Sequence, residues 1–255
     1  MATRIKLTVA YLGEHFCGWQ RQAHGRTVQG ELERALSGVT GGHRIAVVGA
    51  GRTDAGVHAA GQVAHADLPV AIPMVGLKKA LNRVIGPYIR IRSVVPVVAS
   101  FHARRSALGK VYSYRVQWRS PELPWTGLRT AVVPPISDPR ALERAVAMLP
   151  GRRDMASFSI PQQMPTERTL YRAWTEDRRN GLILHFVGDG FLRYQVRRMA
   201  GAALDVGRGR VELAEFEDLL LRPQPGARVQ TAPARGLTLE RVFYRDSPRL
   251  HLDSE

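Results

Sequence analysis

Apolar and polar positions alternate from Arg4 to Leu12, which predicts an opening β-strand. A polar loop follows through Gly25. Val28, Leu32 and Leu36 then recur at every fourth residue, so Thr27 to Ser37 reads as an amphipathic helix with Thr27 at its N-cap. Ile45 to Val48 predicts a short buried strand running into a glycine-rich turn, and Gln62 to Asp67 a further strand. Pro73 suits the first turn of a helix ending near Ile85, and Tyr88 to Val95 returns as strand.

The second half follows a similar grammar. Val111 to Trp118 is a predicted strand, and Asp138-Pro139 starts a helix whose buried stripe is Leu142, Ala145, Val146 and Leu149. Arg168 to Arg178 and Leu182 to Val187 flank Asn180-Gly181, a strong hairpin signal. Helices are expected over Leu192 to Val206, stopped by Gly207, and over Leu213 to Leu221, with a last strand from Gly236 to Tyr244. Arg222 to Arg235, with three prolines, predicts a surface loop, and the tail after Asp246 a frayed end. Strands interleaved with helices, one hairpin among them, indicate an α+β protein. The similar order of the halves suggests two related lobes, residues 1–105 and 106–255, meeting at a cleft.

Composition changes this picture in one respect. Lys plus Arg number 37 against 22 Asp plus Glu, a net charge of +15 in 255 residues, which calls for a polyanionic partner such as RNA. Cys17 is the sole cysteine, which excludes an intrachain disulfide and thiolate metal clusters. The eight histidines lack the short spacings of a zinc site, so no metal is expected. Charges interrupt the N-terminal apolar run, and no stretch approaches the roughly 20 apolar residues of a membrane span, which argues for the cytoplasm.

The segment Gly49-Ala-Gly-Arg-Thr-Asp-Ala-Gly56 invites two nucleotide-binding readings, and both fail on spacing. A dinucleotide fingerprint needs glycine where Asp54 stands. A phosphate loop needs Lys and then Ser or Thr where Val57 and His58 stand. Two readings of Asp54 remain: an Asx-type turn, or a displayed catalytic acid. Arg52, two residues earlier, could hold the carboxylate ionised if the turn joins them. Arg193 and Arg198 read as solvated or phosphate-facing helix surface, His58 and His65 as structural, Trp19 as a packing residue with a stacking platform as the alternative, and Lys78 and Lys79 as facing solvent or RNA backbone.

The run Gly51-Arg-Thr-Asp-Ala-Gly-Val-His58 resembles, without a mismatch, the signature loop of the TruA family of tRNA pseudouridine synthases. Four more segments resemble that family in order: Gly18-Trp-Gln-Arg-Gln22 with Arg26-Thr-Val-Gln29; Phe101-His-Ala-Arg104 with Tyr112-Ser-Tyr114; Phe191-Leu-Arg-Tyr-Gln-Val-Arg197 leading to Gly201; and Thr231-Ala-Pro-Ala-Arg-Gly-Leu237. The resemblance implies the pseudouridine synthase fold, two related lobes of mixed and antiparallel sheet with flanking helices about a basic central cleft. It implies isomerisation of uridine in the tRNA anticodon stem-loop by a homodimer, without metal or cofactor.

By position it makes Asp54 the catalytic carboxylate and Tyr112 the ring against the target uracil. Arg197 becomes the arginine contacting the carboxylate, Arg52 the signature-loop arginine beside it, and Leu237 a pocket residue. Cys17, Arg105 and Lys110 depart from the family's commoner residues, and Arg193-Tyr-Gln195 is a variable stretch. The charge balance alone would also suit a synthase acting on another RNA or a non-catalytic RNA-binding protein.

Overall fold

The computed structural model describes residues 2–119 and 127–245. Its strands are β1 (Thr3–Tyr11), β2 (Val48–Gly49), β3 (His58–Leu68), β4 (Ile89–Pro96), β5 (Gly109–Gln117), β6 (Ala131–Val132), β7 (Gly151–Asp154), β8 (Glu167–Arg178), β9 (Gly181–Gly188) and β10 (Leu237–Phe243). Its α-helices are α1 (Val28–Val39), α2 (Met74–Val84), α3 (Pro139–Ala147), α4 (Gln195–Gly207) and α5 (Leu213–Leu221). The α+β class expected from the pattern is what is found. No helix among the described residues is long and apolar enough to cross a membrane.

The chain forms two compact units. Unit 1 holds residues 1–108 and 239–245, and unit 2 holds 109–238. A boundary drawn from the sequence at 105/106 gives everything beyond it to the second lobe. The structure returns the last strand to unit 1, because β10 lies beside β3 in its sheet.

In unit 1 the strand order is β4-β1-β3-β10, with β2 attached to β3. Antiparallel β1 leaves alternate residues half-buried and buries Ile5, Leu7 and Val9 completely. Helix α1 begins where Thr27 Oγ1 accepts the Gly30 N–H, as its N-cap role predicts, and buries Val28, Leu32 and Leu36. Helix α2 buries Leu77 and Leu81. Asn82 ties α2 to β4 by exchanging two hydrogen bonds with the backbone of Ile91 (2.8 and 2.9 Å). The strand expected over Ile45 to Val48 is only two residues long, Val48–Gly49. Ile45 and Val47 are buried, but side chains of α1 take the Val47 backbone: Glu33 Oε1 accepts its N–H and Gln29 Nε2 donates to its carbonyl.

In unit 2 the order is β5-β9-β8-β7, antiparallel, with β6 parallel to β5. Asp138 caps α3 by accepting the Ala141 N–H (2.9 Å), and α3 packs on α4 and α5. The β8–β9 hairpin forms as expected, but not about Asn180-Gly181. Arg178 pairs with Gly181, so Arg179 and Asn180 make the turn. Gly181 is needed for a different reason: a Cβ there would lie 2.0 Å from the Val116 carbonyl oxygen of β5. Helix α4 starts at Gln195 and not Leu192, because Tyr194 adopts a left-handed backbone that ends the preceding turn. The expected frayed tail after Asp246 lies outside the described residues.

Candidate active site

The glycine-rich turn of unit 1 is held by backbone bonds and by two buried side chains, Tyr11 and Gln62. Ala50 N–H donates to Val63 O (2.7 Å), and the Val57 N–H donates back to Asp54 O (3.1 Å). Asp54 therefore opens a tight turn whose third residue, Gly56, has φ +79°, the value a type II turn requires there. Next to Asp54, the Thr53 hydroxyl meets the buried Tyr11 hydroxyl (2.9 Å), and Thr53 O accepts the Trp19 N–H (3.1 Å). Burial pushes the Tyr11 phenol up to about 12, although its bonds to Thr53 and Gln62 work the other way, so it stays a neutral prop. Gln62, fully buried on β3, donates to Gly51 O (3.0 Å).

A second loop, residues 12–20, clamps this turn from outside. A Cβ on Gly13 would stand 2.1 Å from Val57 O, and one on Gly18 would stand 2.8 Å from Thr53 O. Trp19 fills the space over Gly49, where any side chain would collide with its ring. The packing role expected of Trp19 is the one it has, at 2% exposure. His58 and His65 are structural too. Their Nδ1 atoms accept the N–H groups of Gly13 (3.2 Å) and Ala103 (3.1 Å).

The turn leaves Asp54 half-buried and Arg52 exposed, with buried Thr53 between them. Arg52 Nε donates to Gln20 Oε1 (3.0 Å), so the partner the turn gives this guanidinium is the Gln20 amide. Cys17 and Arg105 are both exposed. The Arg105 N–H donates to His102 Nδ1 (3.2 Å), which keeps the backbone after Phe101 turned.

Unit 2 carries the other three residues that sequence singled out. Tyr112 lies on β5 opposite Phe186 and is 7% exposed, its ring meeting Phe191 edge-on at 5.2 Å between centroids. Arg197 stands in the first turn of α4, half-buried, with Nε donating to Ala232 O (2.8 Å). Ala232 N–H donates back to Arg197 O (3.1 Å), a reciprocal pair that straps residues 222–236 to the helix. Leu237, 5% exposed, begins β10 where that strap ends. Tyr114 OH donates to Pro233 O (3.0 Å) and fixes the same strap to β5.

Arg198 corrects the sequence reading. It is not a solvated or phosphate-facing arginine but 7% exposed, and it donates to the carbonyls of Ser159 and Ala227. Desolvation lowers its pKa. The helical pattern hid this, because the groups that receive its protons lie 39 and 29 residues away.

Of the site residues read from the sequence, Asp54 and Arg52 thus lie on the signature turn of unit 1, while Tyr112, Arg197 and Leu237 belong to unit 2. Sequence reasoning missed Tyr11, Thr53, Gln62 and Arg198, which hold the chain around these residues. A hollow of about 460 Å³ in unit 1 is lined by Lys78, Lys79, Asn82, Arg83 and Arg90, and not by the signature turn. Among the described residues no group of three or more His, Cys, Asp or Glu side chains is placed to hold a metal ion.

A family model described as tRNA pseudouridine synthase matches residues 7–104 and 145–245, across the signature turn, α4 and β10. The chain belongs to this family. Curated relatives agree with the assignment. The tRNA pseudouridine synthase A of Geobacillus kaustophilus (strain HTA426) is 39% identical over 254 residues, 98% of each chain. That of Lacticaseibacillus casei (strain BL23) is 39% identical over 246 residues, 95% of this chain and 100% of its own. The protein of the same description from Myxococcus xanthus is 37% identical over 249 residues, 96% of this chain and 93% of its own. The matched residues include the turn of unit 1 and the strap of unit 2.

Proposed function

We propose that this protein isomerises uridine to pseudouridine in the anticodon stem-loop of tRNA, with Asp54 as the catalytic carboxylate. The observation that carries the reading is a half-buried acid at the head of a turn fixed by buried backbone bonds, inside a matched tRNA pseudouridine synthase domain. Pseudouridine formation breaks the bond from ribose C1′ to uracil N1, turns the base and rejoins it through C5. No atom is gained or lost. Positive character develops at C1′ as the bond breaks, and an ionised carboxylate can stabilise or capture it. The same carboxylate could instead take the 2′ proton and give a glycal. Either route needs it ionised and held still, which suits a turn with little freedom to move.

In this reading the two units contribute different groups. Arg197 pairs with the Asp54 carboxylate and keeps it charged. Tyr112 stacks on the flipped uracil, worth about 1–3 kcal/mol against a flipping cost of a few kcal/mol. Leu237 lines the pocket. Arg52, exposed on the signature turn, meets the RNA backbone there. The net charge of +15 supports a polyanionic substrate, and a homodimer in the cytoplasm completes the proposal.

Tritium release from C5-labelled tRNA, with mapping of the modified positions, tests it. The purified protein should release tritium from the anticodon arm. Asp54→Asn should abolish release and leave tRNA affinity within a few fold. Release by the Asn variant would remove Asp54 from the chemistry. Modification confined to another RNA would overturn the substrate, and binding without release would leave an RNA-binding protein.

A further inference from the structure

Backbone strain marks one residue of unit 2 that the reading above does not use. Tyr194 has φ 64° and ψ −2°, in the left-handed region, and among the described residues it is the only non-glycine with positive φ. A bulky residue held there costs stability and persists only where its surroundings impose it. Helix capping does not account for it. The Tyr194 side chain makes no cap bond, and the adjacent Gln195 Oε1 accepts the Leu192 N–H (2.7 Å) instead. Its carbonyl accepts the Arg198 N–H (2.9 Å) and its hydroxyl accepts from Arg193 Nη2 (3.5 Å); its other side-chain contacts are through the ring. The guanidinium of Arg197 lies 5.2 Å from the ring centroid and that of Arg193 lies 5.1 Å from it. A right-handed residue at this position would continue α4 backwards and carry the ring elsewhere.

Two of the contacts of Arg197 act together. Its Nε is tied to Ala232 O, and its planar head lies over the Tyr194 ring. A hydrogen bond alone leaves the guanidinium able to swing about that contact, whereas a bond and a face contact together fix its plane. An arginine required to present a fixed edge to a partner gains from such prior ordering, because less rotamer freedom is lost in the reaction. Arg193 is exposed on the other side of the sequence and shares the same ring.

We propose that Tyr194 is a positioning residue of the reaction. Its ring, placed by a left-handed backbone, fixes the guanidinium plane of Arg197, the cation assigned above to the Asp54 carboxylate. The proposal rests on that assignment of Asp54 and Arg197.

Three substitutions compared with the unaltered protein test it by steady-state tritium release and thermal unfolding. Tyr194→Asn accepts the left-handed backbone but has no ring. Its unfolding midpoint should match or exceed that of the unaltered protein, its kcat should fall about tenfold, and its KM for tRNA should stay within about twofold. Tyr194→Phe, which keeps the ring, should retain kcat. Tyr194→Gly should behave as Asn does. An Asn variant with unaltered kcat overturns the proposal, as does one in which KM alone rises, since the ring would then serve RNA contact. Equal losses in Phe and Asn would credit the hydroxyl and also overturn it. No release by the unaltered protein, or continued release by Asp54→Asn, overturns the underlying reading instead, so the two failures are distinguishable.

Discussion

The turn of unit 1 and the strap of unit 2 order their proposed site residues by opposite means. Around Asp54 the chain is fixed by backbone hydrogen bonds and by glycines that let a second loop approach within contact distance. Around Arg197 it is fixed by guanidinium groups reaching backbone carbonyls, Arg197 to Ala232 and Arg198 to Ser159 and Ala227. The first device is intolerant of added volume but keeps no long side chain in order. The second tolerates volume and depends on charge, since each charge-assisted bond is worth more than a neutral one yet requires burying a cation. A substitution that is mild in one region should be severe in the other.

Gly13→Ala should have the largest effect. The added methyl meets Val57 O at 2.1 Å, backbone against backbone, so the clamp loop and the signature turn must separate. Urea unfolding should show a loss of about 3 kcal/mol, at the upper end for overpacking, with tritium release falling alongside. An unchanged midpoint would remove the steric half of the comparison.

Arg198→Met comes next. It keeps most of the volume and removes the charge, losing two charge-assisted bonds while relieving the burial of a cation. A net loss of about 2 kcal/mol is expected, with protease cleavage appearing inside residues 222–233. Equal stability with an intact strap would show that packing and not charge orders unit 2.

The smallest effect concerns pH. Burial, and then His102 and Arg4, hold the His65 pKa below its ordinary 6.5, with Arg105 adding to this and Asp67 opposing it. The folded state thus binds fewer protons than the unfolded chain. The stability from neutral His65 is complete above about pH 6.5 and is lost as pH falls from there through the lower folded value. Protonation would also set an N–H against the Ala103 N–H. Midpoints measured at descending pH should decline over this window, and His65→Gln should flatten the decline. A decline just as steep in the Gln variant would place the titrating group elsewhere.

Local chemistry made much of the fold readable. Thr27 and Asp138-Pro139 announce helix starts because a cap acts within three residues, and the period of Val28, Leu32 and Leu36 needs no tertiary partner to be seen. Strands β6 and β7 escaped because two residues carry no period, and Gly-Arg-Arg-Asp carries no apolar face. Gly181 misled, because a close approach by β5 and a tight turn ask for the same residue. Asp54 was visible through its glycines, whereas Tyr11 and Gln62, which prop the turn, are 42 and 11 residues from the groups they bond there. Tyr194 could not be read at all, since nothing in a tyrosine's neighbours along the chain asks for a left-handed backbone.

The return of residues 239–245 to unit 1 also bears on the order in which the molecule can be made. On a ribosome the first 108 residues emerge early, but the strand that lies beside β3 arrives only after the intervening residues 109–236 have been synthesised. Until then one side of β3 stays without β10, a pairing edge that other chains could meet. Residues 109–238 are made in between, so the half begun first is completed only once β10 has been made. Strand β10 then acts as the fastener on the open side of β3.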